Sequence, residues 1–89
     1  MVDIVLVVAT RECNKCRACE AMVRRLLEKH PGELCFRKVR DDAPEADEFG
    51  VVMPPMLVVS GVLVTAGRVP DERGLAAVVE RMLEGSKAK

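Results

Sequence analysis

The run Val2–Ala9 (VDIVLVVA) constrains this chain more than any other stretch. It is almost continuously apolar and rich in β-branched residues, with no polar alternation beyond Asp3. A strand of that pattern has no solvent-facing side and must be buried on both faces. With 89 residues there is room for one domain and a modest core. The run therefore belongs at the centre of a single sheet that is covered above and below. Trp and Tyr are absent and Phe36 and Phe49 are the whole aromatic complement, so the core is aliphatic, built from Val, Leu, Met and Ala.

The remaining elements follow from periodicity. From Cys13 to His30 the apolar residues recur at a helical spacing, with Cys19, Met22, Val23, Leu26 and Leu27 on one stripe and Arg17, Arg24, Arg25 and Glu28 opposite. Pro31-Gly32 stops this helix. Leu34–Arg40 (LCFRKVR) reads as a second strand, charged enough to lie near an edge. Asp41-Asp42-Ala43-Pro44 is a helix entry with Pro44 in the first turn, followed by a short helix through Phe49 and a stop at Gly50. Met56–Ser60 and Val62–Ala66 are apolar strands joined at Ser60-Gly61, a hairpin signal. Asp71 is placed to cap a last helix over Glu72–Glu84, with Leu75, Val78, Val79, Met82 and Leu83 inward and Gly85 closing it. One domain over residues 1–85 and a frayed tail at 86–89 are expected. The order is β-α-β-α-β-β-α. The first two strands need a crossover and are parallel; the last two are antiparallel. A four-stranded mixed α/β sheet flanked by helices results.

Chemistry concentrates in Thr10–Glu20 (TRECNKCRACE), where Cys13, Cys16 and Cys19 stand at spacings of three. A strand that ends at a Cys-x-x-Cys pair where a helix begins places sulfur beside unpaired N–H groups and the positive end of the helix dipole. That setting favours the thiolate, the form that attacks disulfides and binds metals. Cys13, near the helix start and close to Lys15, is the candidate attacking sulfur, and Cys16, one turn inside, the resolving one. Asn14 and Lys15, between them, modulate the pair.

Fourteen basic side chains balance fourteen acidic ones, and the basic residues are scattered. Nothing in that distribution attracts nucleic acid or an anionic membrane surface. The leading apolar run is too short for a membrane span and lacks the basic flank and cleavage site of a signal peptide. A cytoplasmic protein is expected, in which thiols are held reduced and four cysteines serve catalysis or metal binding more than structural disulfides.

A strand, CNKC at Cys13–Cys16, a helix, a parallel strand, then Phe49–Gly61 (FGVVMPPMLVVSG) and Val62–Leu75 (VLVTAGRVPDERGL) together resemble the thioredoxin superfamily in its small, glutaredoxin-sized form. The likeness is nearest to the small thioredoxin-like redox-active disulfide proteins and covers most of the chain. It implies a thiol-disulfide oxidoreductase with Cys13 and Cys16 catalytic. It implies a cis bond before Pro55, packed against those sulfurs, and a substrate-binding loop of Met53, Pro54 and Pro55. It implies no bound cofactor; electrons come from a separate reductase or a low-molecular-weight thiol and pass to a protein or small-molecule disulfide. The chain also departs from its relatives. Pro54 has no N–H to offer a substrate, the thioredoxin WCGPC signature is absent, and Val7 stands where thioredoxins carry a buried acid. Ala66–Asp71 replaces the Gly-Gly-x-Asp turn with which glutaredoxins hold glutathione.

Other features have structural readings. Cys19 and Cys35 are expected in the core, His30 at a helix end beside the dipole, and Met22, Met53, Met56 and Met82 as apolar filler, with Met53 and Met56, flanking the prolines, also placed to line a shallow apolar groove for a substrate. An alternative function uses the same sulfurs as a zinc, copper or iron–sulfur module with Cys35 as the fourth ligand. Against it, three cysteines on one helix converge poorly on a tetrahedral site.

Overall fold

The computed structural model describes residues 2–10, 14–50 and 53–87, with the side chains of Phe49, Ser86 and Lys87 left aside. In chain order the elements are β1 (Val2–Val8), α1 (Asn14–Lys29), β2 (Leu34–Arg40), a 3₁₀ segment (Pro44–Phe49), β3 (Met56–Val59), β4 (Val62–Ala66) and α2 (Glu72–Lys87). The strands form one sheet in the order β2-β1-β3-β4. β1 runs parallel to β2 and antiparallel to β3, and β3 and β4 form the antiparallel hairpin. The apolar first strand thus lies inside the sheet, and the charged second strand at an edge.

Both α-helices lie on the same face. Val2, Ile4, Leu6 and Val8 of β1, with Leu57 and Val59 of β3, pack against Cys16, Cys19, Met22, Val23 and Leu26 of α1 and Leu75, Val79 and Leu83 of α2. The alternate residues Val5, Val7, Met56 and Val58 form a smaller second cluster with Val39 and Ala46, the latter supplied by the 3₁₀ segment. The flanking expected on both faces is therefore unequal: two long helices on one side, a single short 3₁₀ segment on the other. Burying both faces of β1 takes both layers.

Local chemistry sets the boundaries. Ser60 and Gly61 both have positive φ (48° and 82°), as the tight hairpin turn matched to strand twist requires. Asp71 caps α2, its Oδ2 accepting from Gly74 N–H at 3.0 Å. Pro44 opens the 3₁₀ segment and Gly50, at φ 74°, closes it. One boundary differs from expectation: α2 continues through Gly85 to Lys87. Glycine costs a helix only about 1 kcal/mol, and without a following proline the helical hydrogen bonds carry on past it.

α1 is tied to its surroundings by ion pairs. Glu20 accepts from Arg24 at 2.8 Å and meets Lys38 Nζ on β2 at 2.8 Å. Arg25 reaches across to Glu72 on α2 at 2.8 Å. The hydrogen bonds from Lys38 and then Arg24 hold the Glu20 carboxyl below its ordinary value of 4.5. A depressed folded-state value adds stability that is present above the unfolded value and lost as pH falls through the folded one. Glu20→Gln should therefore lower the melting temperature modestly at neutral pH, as is usual for an exposed pair. The gap from wild type should close as pH drops below about 4.5. Thermal melts of both proteins across the acid range test this; a gap that persists undiminished at the lowest pH refutes the assignment.

Candidate active site

The site forms where β1 hands over to α1 and where the chain enters β3. The link from β1 is held by the end of β2. Asp41 N–H donates to Val8 O at 2.8 Å, and Asp41 Oδ1 accepts from Thr10 N–H at 3.2 Å. These two bonds fix the chain three residues before Cys13. Sequence reading missed this role of Asp41, although an Asp in a turn just after a strand is a frequent acceptor for backbone N–H groups.

Cys13 itself lies outside the described residues, as do Val51 and Val52. α1 begins at the next residue, Asn14, and carries no acidic side chain in its first turn. Asn14 and Lys15 are exposed there. Cys16 is buried, 5% exposed, within the helical-face core, and Cys19, one turn deeper, is 1% exposed in the same cluster. The helix therefore holds two sulfurs inside, and Cys13 precedes it in sequence. Lys15 and the N-terminus of α1, whose first turn carries no acid, supply positive potential at the start of the helix.

On the other side, the Pro54–Pro55 peptide bond is cis. Pro55 is fully buried, Pro54 half-buried, and Met53 is 56% exposed. Gly67, which follows β4, fastens this loop. Its N–H is shared between Met53 O at 2.8 Å and Pro55 O at 2.9 Å. Gly67 has φ 78°, and a side chain there would meet the Met53 methyl at 3.4 Å. Both carbonyls flanking Pro54 are thus engaged, and neither proline has an N–H. The packing of Pro55 against the cysteine pair involves Cys13 and so falls outside the described residues.

The other singled-out residues separate cleanly. Val7 is wholly buried in the smaller cluster, on the sheet face opposite Cys16. Cys35 is not in the core: it is exposed on β2. It pairs with Asp3 while its neighbour Leu34 pairs with Val2 of the helical-face core, so Cys35 stands on the opposite face of the sheet from Cys16 and Cys19. It cannot complete a ligand set with them, and no group of three metal-ligating side chains occurs among the described residues. His30 follows α1, with Nδ1 3.3 Å from Glu33. Its Nε2 is buried without a partner among the described residues. Met22 and Met56 are buried and Met82 half-buried, as filler, whereas Met53, expected among them, is exposed because the loop before β3 turns it outward. The two outlying cysteines should consequently behave differently. Cys19→Ser puts a hydroxyl into the aliphatic core and should cost about 1–3 kcal/mol, whereas Cys35→Ser should stay within about 0.5 kcal/mol of wild type. Urea denaturation under reducing conditions measures both; equal losses would contradict this placement.

A mixed four-stranded sheet with the cysteine-bearing helix after its first strand, and a cis-proline loop leading into its third, defines the thioredoxin-like class. The family model described as a thioredoxin domain matches residues 3–80. The chain belongs to that family. Among solved structures, the thioredoxin of Malassezia sympodialis is similar with a TM-score of 0.70. The identity is 22%, over 92% of this chain and 75% of that one. No curated protein matches the chain in sequence. Among the described residues no helix is long and apolar enough to cross a membrane.

Proposed function

We propose that the protein is a cytoplasmic thiol-disulfide oxidoreductase working through Cys13 and Cys16. The observation that carries the reading is the placement of Cys16, buried in the first turn of α1 with Cys13 three residues before it in a thioredoxin-family chain. A pair so arranged divides the labour of disulfide exchange. The Cys13 thiolate, favoured by the helix terminus and Lys15, attacks one sulfur of the substrate disulfide. The other substrate sulfur leaves as a thiolate and takes up a proton. Cys16, deprotonated in turn, attacks Cys13 in the mixed disulfide and expels the second substrate thiolate. Two electrons pass to the substrate and a Cys13–Cys16 disulfide remains. A separate reductase or a low-molecular-weight thiol returns it to the dithiol.

The substrate loop fits a permissive partner choice. With Pro54 lacking an N–H, and with Met53 and Pro55 carbonyls committed to Gly67, the loop makes few backbone bonds to an incoming chain. Contact then rests on the exposed Met53 side chain and the half-buried Pro54 ring, an apolar surface that accepts many disulfides.

The decisive experiment is purification with metal analysis followed by redox titration, with labelling of the thiols by mass. A two-electron couple confined to Cys13 and Cys16, with Cys13 alkylating first under brief iodoacetamide treatment, is the expected result. A stoichiometric bound metal, or first labelling at Cys16 or Cys19, would overturn the reading.

A further inference from the structure

Disulfide exchange places a demand on Cys16 that most of its surroundings oppose. Cys16 attacks as a thiolate, yet it is 5% exposed, and burial among apolar side chains disfavours that form. The core cluster that holds it draws side chains from β1, β2, β3, β4 and α2, and none of these carries a titratable group. Thr65 is the buried polar side chain among the described residues, and its hydroxyl is given to Arg68 O at 3.1 Å. Along α1 the charged neighbours Lys15 and Arg17 are exposed, and the Glu20 carboxylate is held by Arg24 and Lys38.

One other member of the cluster does carry a dissociable proton. Cys19 is 1% exposed and lies on the same buried stripe of α1, three residues beyond Cys16. Residues three apart on a helix have Cβ atoms about 5–6 Å apart. Helical side chains also lean toward the N-terminus, over the turn before their own. Cys19 is thus carried back over the turn that holds Cys16. Apart from Cys16 itself, its S–H is the one side-chain proton donor in that cluster among the described residues.

We propose that Cys19 is a positioning residue for the resolving step, its S–H donating a hydrogen bond to the Cys16 thiolate and holding that form inside the core. The role rests on the reading of Cys13 and Cys16 as the exchange pair. The proton of Cys16 passes to solvent. The thiolate, held by Cys19, bonds to Cys13 as the bond between Cys13 and the substrate sulfur breaks, and the substrate thiolate leaves with the electron pair. Cys19 keeps its proton throughout, so the attacks themselves use only Cys13 and Cys16 and no further oxidant or reductant enters. A thiol suits the place because it packs as a small apolar group while Cys16 is neutral and offers a donor once Cys16 is charged.

Stopped-flow reaction of the reduced protein with dithiobis(nitrobenzoate) separates the two attacks, in a Cys35→Ser background that removes the exposed Cys35 thiol. The first coloured thiolate released reports attack by Cys13, and the second reports attack by Cys16 on the mixed disulfide. Cys19→Ala should slow the second release about tenfold at neutral pH, the scale of a hydrogen bond to a charged group, and leave the first unchanged. The gap should narrow as pH rises, because the Cys16 thiolate then forms without help. Cys19→Ser keeps a donor and should release the second thiolate at close to the parent rate, although a hydroxyl in this core is more disruptive than a methyl. A packing role predicts the reverse order of the two variants and no dependence on pH. Val23→Ala, a truncation on the same buried stripe, should lower stability and leave the second release unchanged. Circular dichroism verifies that each variant is folded. Equal second releases from the parent and Cys19→Ala at every pH overturn the proposal, while the first release still upholds the exchange reading. Slowing by Cys19→Ser as large as that by Cys19→Ala overturns it as well. So does a second equivalent released from Cys16→Ser, which would make Cys19 a nucleophile. No first release from the parent overturns the exchange reading and this role with it.

Discussion

Cys13→Ser should abolish insulin-disulfide reduction, lowering the rate at least about a thousandfold, the scale on which loss of a nucleophile is felt. Cys16→Ser should fail differently. It keeps the attacking sulfur, so it should form the mixed disulfide and stop there, accumulating a covalent complex with substrate that a reductant releases. The asymmetry follows from position. Cys13 directly precedes in sequence a helix whose first turn carries no acid, while Cys16 is buried and attacks the Cys13 sulfur only once the mixed disulfide has formed, with the substrate thiolate leaving. Non-reducing gels and intact mass measure the trapped species, and a turnover assay measures the rate. Trapping by Cys13→Ser instead of Cys16→Ser would reverse the roles. Undiminished turnover in both variants would remove the mechanism. Because Cys19 and Cys35 are not needed for either attack, their serine variants should retain turnover whenever they are folded.

The largest stability effect is expected at Leu57. It sits in β3, between β1 and β4, with no exposed surface, and its side chain meets the helical-face core. Truncation to alanine removes buried methyl groups and leaves a void that neighbouring β-branched residues refill poorly. The cost should be about 2–5 kcal/mol. A domain of this size has only about 5–10 kcal/mol to lose. Leu57→Ala should therefore lower the urea midpoint by roughly a fifth or more with little change in slope. A shift equivalent to under about 1 kcal/mol would mean that the core is looser than its burial implies.

Much of this protein was legible before any tertiary contact was known, because its elements carry strong local signals. An almost continuously apolar run rich in β-branched residues reads as a central strand. A glycine after a small polar residue between two apolar runs makes a hairpin, and an aspartate three residues before Gly74 caps a helix. These are preferences of a few residues, expressed by neighbours in the chain. The Cys-x-x-Cys pair was visible for the same reason, its spacing being that of a helical turn.

What the chain order could not decide was which side of the sheet each element would cover and which residues would meet. Cys35 has the apolar surroundings of a core residue in sequence, yet strand parity turns it outward, opposite the face that holds Cys16 and Cys19. Its exposure depends on the register of β2 against β1, and that register is set by burying Leu34 with Val2. Asp41 and Gly67 were unremarkable letters until folding brought them to Thr10 and to the Met53–Pro55 loop. Both act through backbone hydrogen bonds across more than ten residues, a kind of contact that leaves little mark on composition or periodicity. The unequal coverage of the sheet, two helices on one face and a short 3₁₀ segment on the other, likewise follows from long-range packing: each apolar surface can be covered by any element of suitable length, and only the assembled fold selects which.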